Sequence, residues 1–420
     1  MKAAKRFGTP FYLYDIGRLR ADARAIREAF PDPWLRLYSL KANGLPGLVK
    51  VIAAEGFAVS GVSWGEVAVV SGVPAGMGLD QIALEGIGKS PQDLARAAVA
   101  SVDETPLLWV SVESAEEAAE LAEEVARARR GRGPTNRHPP LDVLVRVNPS
   151  VAPETHISLA VGAPSSKFGV VPEELPAVIE AGGGPNGPLR WRGIHLHVGS
   201  QLGAVDAWRS AFRVGLRLLE LQRATLTDFD TLDAGGGFPV AYDGVPASVP
   251  SPARFAAEAR AELDQIPVAA RPRRLAVEPG RAVVAGCGWL IGRVLHVRHR
   301  EPPIVVLDTG MTELLRPALY GAMHPMVALT SHGRPIDPAD GDQATVIVRV
   351  DGPVCESTDT LGAAPLPPLD RGDIVAIGMA GAYGSSMSST YNGRPRPAEV
   401  AWDDGELTLL RRRGTLRSLR

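Results

Sequence analysis

Lys41 is the residue whose type and position most directly suggest chemistry. It directly follows the strand-like run 35–40, and only six of the 45 basic residues in the chain are lysines. A lysine amine can lose its proton and form an imine with a carbonyl group, which an arginine guanidinium cannot do. The alternative is a strand-end lysine that reaches into solvent. The residues predicted to lie near Lys41 therefore determine whether an imine-forming lysine or a solvent-exposed lysine is the better interpretation.

A glycine run after the strand-like segment 231–233 offers a second chemical feature. Gly235, Gly236 and Gly237 leave their backbone N–H groups uncovered, so these groups can converge on an anion such as phosphate. A flexible turn is the alternative. The run 182–184 is also three glycines, but it follows a helix-like segment, and we interpret it as a loop.

His195 and His197 lie in the strand-like segment 191–198, where the two-residue side-chain period places them on one face. That spacing suits two metal ligands, but no third ligand stands nearby in the sequence, and we predict no metal site. Two other interpretations stay open. One is a buried, hydrogen-bonded histidine beside a turn, and the other is an imidazole stacked on a flat cofactor ring, with Ser200 on its phosphate.

The tetrapeptide Glu278-Pro279-Gly280-Arg281 follows an apolar strand-like run. A carboxylate at this point can hold a protonated ring nitrogen, and Arg281 can bind a substrate carboxylate. An ordinary surface ion pair is the alternative. Cys355 lies among turn residues rather than on a periodic apolar face, which favours a chemical role over packing.

The segments that must position these residues change character near residue 282. Between about residues 10 and 280, β-rich runs alternate with helical segments, which predicts a (β/α)8 barrel with parallel strands. After residue 282, short runs are joined by Pro/Gly turns with little helix, which predicts an antiparallel β domain. The predicted strands are 11–14, 141–148, 191–198, 274–278, 290–297, 303–308, 344–350 and 373–377, and the predicted helices include 16–30, 114–130 and 207–224.

Bulk composition limits the classes of function. A length of 420 residues predicts two domains, and 45% hydrophobic with 22% charged residues is ordinary for a soluble protein. A net charge of −2 gives no reason to expect nucleic acid or an anionic membrane as a partner. No apolar run reaches the roughly 18 residues of a membrane span, and the basic start leads into no signal core. Two cysteines supply neither a disulfide framework nor a zinc site, so we expect a cytoplasmic protein.

Taken in order, the motifs resemble the fold-type III pyridoxal-phosphate-dependent amino-acid decarboxylases, the group of ornithine, diaminopimelate and arginine decarboxylases, and most closely the diaminopimelate decarboxylase family. The matching segments span nearly the whole chain. They are Tyr38-Ser-Leu-Lys41-Ala-Asn43, Ser166-Lys-Phe-Gly169, His195-Leu-His-Val-Gly-Ser-Gln201, Gly235-Gly-Gly-Phe-Pro239, Glu278-Pro-Gly-Arg281, Arg316-Pro-Ala-Leu-Tyr320, Cys355-Glu-Ser357, Ala382-Tyr-Gly384, Met387-Ser-Ser-Thr-Tyr-Asn392 and Arg394-Pro-Arg-Pro-Ala-Glu-Val400.

The resemblance implies an alanine-racemase-like (β/α)8 TIM barrel with a C-terminal antiparallel β-sandwich domain. The implied boundaries are 1–22 for an N-terminal strand that joins the β domain, 23–281 for the barrel that binds pyridoxal phosphate, and 282–420 for the β-sandwich. It also implies a head-to-tail homodimer with shared active sites.

The resemblance further implies a role for each motif residue. Lys41 would hold pyridoxal 5'-phosphate as an internal aldimine, His197 would stack on the ring, and Glu278 would pair with the pyridine nitrogen. The implied phosphate contacts are Ser200, Gly235, Gly236 and Gly237, with Gly280 and Arg281 close by. The implied substrate contacts are Arg281, Arg316 and Tyr320 on the distal carboxylate, Glu356 on the distal ammonium, and Tyr383, which also touches the cofactor. Cys355, as proton donor to Cα, and Glu356 would come from the partner subunit.

Three features depart from the family pattern. Ser60 stands where members often carry an aspartate three residues before Ser63, and the loop 157–162 differs from the usual Ser/Thr-Gly loop. The chain also begins close to its Gly8-Thr9-Pro10 motif. These departures leave the cofactor chemistry in place and bear on the substrate.

The activity implied is decarboxylation of meso-2,6-diaminopimelate to L-lysine through a quinonoid intermediate. A decarboxylase of D-ornithine, D-lysine or a specialised secondary-metabolite or siderophore substrate is the alternative, but a substrate without a distal carboxylate would leave Arg281 and Arg316 unpaired. A non-catalytic pyridoxal-phosphate-binding protein usually lacks a second β domain. An alanine racemase usually has arginine, not an acid such as Glu278, at the pyridine nitrogen.

Overall fold

The computed structural model describes residues 2–72, 74–102, 106–130, 140–151, 154–155, 162, 166–242, 244–332 and 345–419. The chain divides into two compact units. The first, the barrel unit, contains residues 23–239 and 249–280, and the second, the β unit, contains residues 1–22, 240–248 and 281–420. Of the altered loop 157–162, all but Gly162 lies outside the described residues.

The chain opens with α1 (Lys2–Phe7), β1 (Phe11–Asp15) and α2 (Ile16–Ala29). The helix α2 begins where the Asp15 carboxylate accepts the N–H of Arg18 at 2.9 Å, a capping interaction. Its buried residues Leu19, Ala23 and Ile26 recur with helical spacing. The helix predicted from that spacing is confirmed, and the boundary between the two units falls inside it.

Eight parallel strands close into a barrel, as the sequence predicts. The strands are β2 (Leu35–Ser39), β3 (Ala58–Gly61), β4 (Ile82–Leu84), β5 (Trp109–Val112), β6 (Leu141–Val147), β7 (Leu189–Leu196), β8 (Thr231–Asp233) and β9 (Arg274–Val277). The helices between them are α3 (Pro46–Ala54), α4 (Trp64–Ser71), α5 (Pro91–Val102), α6 (Ala115–Arg130), α7 (Leu175–Ala181), α8 (Asp206–Gln222) and α9 (Pro252–Asp264).

The barrel strands are buried almost throughout, as expected for a parallel sheet that is covered on both faces. Leu37, Ala83, Trp109, Leu144 and Ala276 come from five different strands and pack into one cluster. The interior is therefore filled by side chains. Functional groups of such barrels lie at the carboxyl ends of the strands.

The β unit contains a nine-stranded, mostly antiparallel sheet, which confirms the predicted β domain. Its remaining strands are β10 (Gly288–Arg298), β11 (Ile304–Leu307), β12 (Met326–Leu329), β13 (Val346–Asp351), β14 (Thr360–Leu366), β15 (Ile374–Ile377), β16 (Ala398–Asp403) and β17 (Glu406–Arg411), with short helices α10 (Arg281–Val284) and α11 (Arg316–Tyr320). The order is β14-β13-β11-β10-β1-β16-β17, with β15 on β10 and β12 on β15. Within this sheet, only the pairs β1–β16 and β11–β13 are parallel among its described strands.

The N-terminal strand β1 lies inside this sheet, antiparallel to β10 and parallel to β16. Phe11 of β1 packs with Ile291, Ile374 and Val400 in the core of the sheet. The segment Val240–Ser248 also belongs to the β unit, although the sequence-based boundaries place it within the barrel. Among the described helices, none is both long and apolar enough to cross a membrane.

Candidate active site

Lys41 stands in a single 3-10 turn, Leu40–Ala42, directly after β2 ends at Ser39. The segment after β9 fixes this turn, because the Ser39 N–H donates to the Pro279 carbonyl at 3.1 Å. A Cβ placed on Gly280 would lie only 3.1 Å from the Cβ atoms of Ser39 and Ala42. Glycine at 280 therefore allows the Glu278-Pro-Gly segment to approach the turn that carries Lys41.

The amine of Lys41 lies among ionisable groups at the carboxyl ends of the barrel strands. Its positive charge lowers the pKa of His197 and of Glu278. The charge of Lys41 also acts on Glu66, which lies in the first turn of α4. Burial raises the pKa of Glu66, and a hydrogen bond from Val62 and the charge of Lys41 only partly oppose this rise. That hydrogen bond, from the Val62 N–H to the Glu66 carboxylate, is 2.8 Å long.

His197 lies beyond the end of β7 at Leu196, so the strand period does not place it. Its Nδ1 accepts the N–H of Gly236 at 3.1 Å. Burial, followed by the charges of Lys41 and Arg146, lowers the pKa of His197 well below its ordinary value. The ring is therefore neutral near pH 7, with its hydrogen on Nε2.

The glycine run follows β8 and passes close to the neighbouring strand. Gly235 has φ +69°, and a Cβ there would overlap the carbonyl oxygen of Leu196. Its N–H donates to the Asp233 carboxylate at 2.8 Å, and the Gly236 N–H donates to His197. Two of the three N–H groups thus donate within the barrel, and neighbouring protein atoms fill the space that a Cβ of each glycine would need.

Ser200 lies in the loop after β7, and this loop is tied to the glycine run. The N–H of Leu202 donates to the Gly237 carbonyl at 3.1 Å. The hydroxyl of Thr155 donates to the Ser200 carbonyl at 2.6 Å. The structure therefore brings the two predicted phosphate-binding segments together.

Glu278 belongs to a buried group of four side chains at the strand ends, which we call the acid cluster: Glu85, His195, Asp233 and Glu278. His195 Nε2 lies 3.0 Å from Glu278 Oε2 and 3.6 Å from Glu85 Oε2. The ligand-type atoms of the four residues all lie within 4.8 Å of one another. A hydrogen bond connects His195 with Glu278, whereas Asp233 accepts the Gly235 N–H, and we identify none of the four as a metal ligand. His197 is outside this cluster.

The protonation states within the acid cluster differ from residue to residue. Burial raises the pKa of Glu85 and of Asp233 well above the usual range, and the charge of Glu278 raises both further. Burial also acts to raise the pKa of Glu278, but His195, a hydrogen bond with Glu85 and the charge of Lys41 together lower it well below its usual range. Glu278 is therefore the ionised carboxylate of the cluster.

A buried ion pair explains the Ser166-Lys-Phe-Gly169 motif. Arg146 Nη1 lies 2.9 Å from Glu113 Oε1, and both side chains are buried. The Gly169 N–H donates to the other oxygen of Glu113 at 3.0 Å, and the Arg146 guanidinium lies 4.9 Å from the Phe168 ring centroid. The motif thus holds Arg146, whose charge lowers the pKa of His195 and His197.

The β unit gathers the predicted substrate arginines around one tyrosine. Arg281 Nη1 donates to the Tyr242 hydroxyl at 2.8 Å, and the Arg316 guanidinium lies 4.6 Å from the Tyr242 ring centroid. Arg281 also lies 4.8 Å from the ring centroid of Tyr383, which has a left-handed backbone (φ 56°). Arg316 Nη1 donates to Nε2 of His324 at 2.9 Å.

These contacts create a buried, positively charged place. Burial lowers the pKa of Arg316, and the nearby charge of Arg281 lowers it further. Tyr320 is the last residue of α11 and lies close enough to Arg316 to act on its pKa. A carboxylate is the group that such a place stabilises best, because guanidinium and carboxylate form charge-assisted hydrogen bonds.

Cys355 and Glu356 lie in the turn between β13 and β14, and both are exposed. The hydroxyl of Tyr391 donates to Glu356 Oε1 at 2.6 Å. Cys287 is buried instead, and burial raises the pKa of its thiol. The exposed thiol is thus the one available for chemistry.

Five residues of these two groups were not recognised as candidates from the sequence: Glu66, Glu85, Asp233, Tyr242 and His324. Glu85 and Asp233 carried a signal, because each stands at the end of a short apolar run and acids at barrel strand ends meet one another. Tyr242 and His324 carried none, since only folding brings them beside the arginines.

Comparison with known proteins defines the class of protein. The family model "Pyridoxal-dependent decarboxylase, pyridoxal binding domain" matches residues 16–285. The chain therefore belongs to the pyridoxal-dependent decarboxylase family. The prediction of an amino-acid carboxy-lyase with pyridoxal phosphate as its cofactor is confirmed.

Individual relatives indicate which branch of this family the chain resembles. The chain is 38% identical to diaminopimelate decarboxylase of Deinococcus radiodurans, over 98% of this chain and 95% of the relative. It is 32% identical to diaminopimelate decarboxylase of Aquifex aeolicus, over 98% and 90%. The crystal structure of Helicobacter pylori diaminopimelate decarboxylase complexed with L-lysine has a TM-score of 0.86 at 29% identity, covering 100% of this chain and 97% of that one. The resemblance to this family is confirmed.

The residues of the barrel unit fit pyridoxal phosphate on structural grounds. Glu278 is a buried ionised acid, Lys41 supplies a primary amine whose charge acts on it, and the glycine run lies beside His197. A buried carboxylate suits a protonated ring nitrogen, and a primary amine reacts with an aldehyde.

Proposed function

We propose that the protein catalyses the pyridoxal-phosphate-dependent decarboxylation of meso-2,6-diaminopimelate to L-lysine. The observation that carries the choice of substrate is the contact of Arg281 and Arg316 with the same tyrosine, Tyr242, in a buried place. Two buried guanidiniums contacting one tyrosine favour the binding of a carboxylate, and the distal carboxylate of diaminopimelate would supply it.

The proposed roles in the barrel unit follow from charge and position. Lys41 binds the cofactor carbonyl, and the neutral His197 ring stacks on the cofactor. Ser200, the glycine run and Gly280 hold the phosphate. Glu278, kept ionised, holds a proton on the ring nitrogen. When bound, pyridoxal phosphate accepts the electrons that departing CO2 leaves on Cα.

The proposed roles in the β unit concern the substrate. Arg281, Arg316 and Tyr320 bind the distal carboxylate, and Tyr383 contacts both substrate and cofactor. Distal contacts also set which bond at Cα stands perpendicular to the ring, so they govern reaction as well as binding. Glu356 binds the distal ammonium, and Cys355 Sγ delivers a proton to Cα.

We further propose a head-to-tail homodimer in which Cys355 and Glu356 serve the active site of the other copy. The exposure of both residues supports this arrangement. A thiol that donates a proton and a carboxylate that binds an ammonium work best where water is excluded, and a second copy of the chain can exclude it. A closed two-fold arrangement gives each copy the same relation to the other.

D-Ornithine or D-lysine as the substrate is the second candidate. Neither has a distal carboxylate, so neither would offer the guanidiniums of Arg281 and Arg316 a carboxylate to bind. The cluster around Tyr242 favours diaminopimelate for this reason.

The test is CO2 release by the purified protein loaded with pyridoxal phosphate. The substrates are meso-diaminopimelate, D-ornithine, D-lysine and L-lysine, and the controls are Lys41→Ala and Lys50→Ala, the latter an exposed lysine on α3. We expect CO2 from diaminopimelate with the native chain and Lys50→Ala, and none with Lys41→Ala. Release from D-ornithine or D-lysine but not diaminopimelate would overturn the proposed substrate.

A further inference from the structure

The acid cluster contains more carboxyl groups than a buried site can hold in ionised form. Glu85, Asp233 and Glu278 are 3%, 0% and 6% exposed, and their oxygens lie within 4.8 Å of one another. Like charges this close, away from water, disfavour simultaneous ionisation. At least one carboxyl therefore keeps its proton at neutral pH.

The contacts of the three carboxyls indicate which one holds the proton. Glu278 faces His195 Nε2 at 3.0 Å and Asp233 accepts the Gly235 N–H at 2.8 Å, and both contacts stabilise a carboxylate. Glu85 has only longer contacts with donors, at 3.3 and 3.5 Å, and its burial beside the Glu278 carboxylate favours its neutral form. A protonated Glu85 can in turn donate a hydrogen bond to Glu278.

One oxygen of Glu85 is positioned by neutral donors. Its Oε1 lies 3.3 Å from Trp109 Nε1 and 3.5 Å from the Ser111 hydroxyl, both on β5. These donors fix the rotation of the carboxyl group without adding a charge. Oε2, which lies 3.6 Å from His195 Nε2, is therefore the oxygen left to carry the hydrogen.

We propose that Glu85 is a positioning residue: a permanently protonated carboxyl that donates to Glu278 and so keeps Glu278 ionised and correctly oriented. The proposal rests on the proposed function only in the role of Glu278 at the cofactor ring nitrogen. Glu85 acts through Glu278 and is not given a contact with substrate or cofactor. A neutral donor at this position stabilises the Glu278 carboxylate without adding a second negative charge next to it.

The charged and titratable groups around Glu85 are all accounted for in this assignment. Glu278 and Asp233 act on it directly, and His195 lies 3.6 Å away. Further out, the Arg146–Glu113 pair acts on His195, and Lys41 acts on Glu278. Burial and the adjacent carboxylate both favour a neutral Glu85, whereas no cation pairs with Glu85 among the described residues.

The test compares three variants of the full chain. Glu85→Gln keeps a neutral hydrogen-bond donor of the same shape, and Glu85→Leu removes the donor at similar volume. Glu262→Gln is the matched control, because Glu262 is a buried glutamate on α9 whose pKa is lowered by its hydrogen bond with Arg213.

The first readout is infrared absorption by protonated carboxyl groups near pH 7, with no cofactor or substrate present. We expect Glu85→Gln to lose the signal of one protonated carboxyl, and Glu262→Gln to lose none. Because this readout needs no activity, it succeeds or fails independently of the proposed function. An unchanged protonated-carboxyl signal in Glu85→Gln would overturn the assignment, even if Glu85→Leu does not fold.

The second readout is decarboxylation and the pH dependence of the bound cofactor's absorbance. We expect Glu85→Gln to keep the native pH profile and nearly native kcat, whereas Glu85→Leu loses roughly ten-fold or more in kcat with little change in KM. A kcat for Glu85→Leu equal to that of the native chain would contradict the positioning role. If the native chain releases no CO2 but the infrared result holds, the proposed function fails and the protonation assignment stands.

Discussion

The chemical role of some residues in this protein could be predicted from the sequence, and that of others could not. Lys41, Glu278 and Arg281 were proposed as site residues from type and position, because each follows a strand-like run. Glu85 could not be assigned a role from sequence, because its protonation depends on two acids that come from β8 and the end of β9. Protonation state is a property of the folded neighbourhood, and spacing along the chain does not encode it.

Replacing Tyr242 by phenylalanine tests the arginine cluster. Tyr242→Phe removes the 2.8 Å hydrogen bond from Arg281 and leaves the ring beside Arg316. We expect KM for diaminopimelate to rise by about ten-fold with a much smaller change in kcat, since a hydrogen bond to a charged group contributes about 1.5–3 kcal/mol.

Steady-state kinetics measure this effect, and Tyr14→Phe is the control. Tyr14 also donates a buried hydrogen bond, at 2.6 Å to Glu399, but within the sheet. Its loss should lower stability and leave KM unchanged. Equal KM values for Tyr242→Phe and the native chain would show that the tyrosine does not position Arg281.

Because His324 is buried beside Arg316, we predict that the free energy of unfolding decreases by a defined amount in acid. Burial and the Arg316 charge lower its pKa from 6.5 to about 4. As the pH falls from 7 to 5, the unfolded chain binds a proton at this histidine and the folded chain does not, so the folded state loses about 2 kcal/mol.

Denaturant unfolding at pH 7 and pH 5 measures this loss. The decrease in the free energy of unfolding should be smaller by about that amount in His324→Gln than in the native chain. The same substitution at the exposed His296 on β10 is the control for losing a histidine outside this site. A native pH dependence in His324→Gln would refute the assignment.

At the scale of elements, alternation of strand and helix signals was enough to predict the barrel, and the change after residue 282 predicted the second domain. The two-residue period failed at His197, because β7 ends one residue earlier and a glycine N–H positions the ring instead. The segment Val240–Ser248 was placed in the barrel by sequence order, yet it groups with the β unit and supplies Tyr242. Contacts between segments far apart in sequence decide such features, and local patterns do not contain them.

Gly235→Ala tests whether the glycine run is required by packing rather than by backbone freedom alone. Gly235 and Gly76 have nearly the same φ, +69° and +61°, but only Gly235 has neighbours that a Cβ would overlap. Gly76→Ala should therefore cost only about 1–2 kcal/mol of left-handed strain. Gly235→Ala should cost more and also weaken cofactor binding.

Unfolding and pyridoxal phosphate titration of both variants measure the difference. Equal stability and equal cofactor affinity in the two variants would show that the close approach of Gly235 to Leu196 is not needed.

At the scale of the whole molecule, the central question is how many copies build one active site. Cys355 and Glu356 were assigned to the active site only through the family resemblance. Both residues are exposed on the single chain, and in the proposed dimer each pair serves the active site of the other copy.

Mixing two inactive variants tests this arrangement. In a two-fold dimer with shared sites, Lys41→Ala and Cys355→Ala subunits form mixed dimers in which one site has both native residues. We expect the refolded equimolar mixture to recover up to about one quarter of native activity. Activity no higher than the sum of the separate variants would place both residues of each site on one chain.

Covalent trapping tests the central assignment most directly. The protein loaded with pyridoxal phosphate is reduced with borohydride, digested and mapped by mass spectrometry, which locates the lysine that carried the cofactor. We predict one pyridoxyl label, on Lys41, and none on Lys89, whose side chain is fully buried and paired with Glu117 at 2.8 Å. A label on any other lysine, or no label on Lys41, would contradict the account.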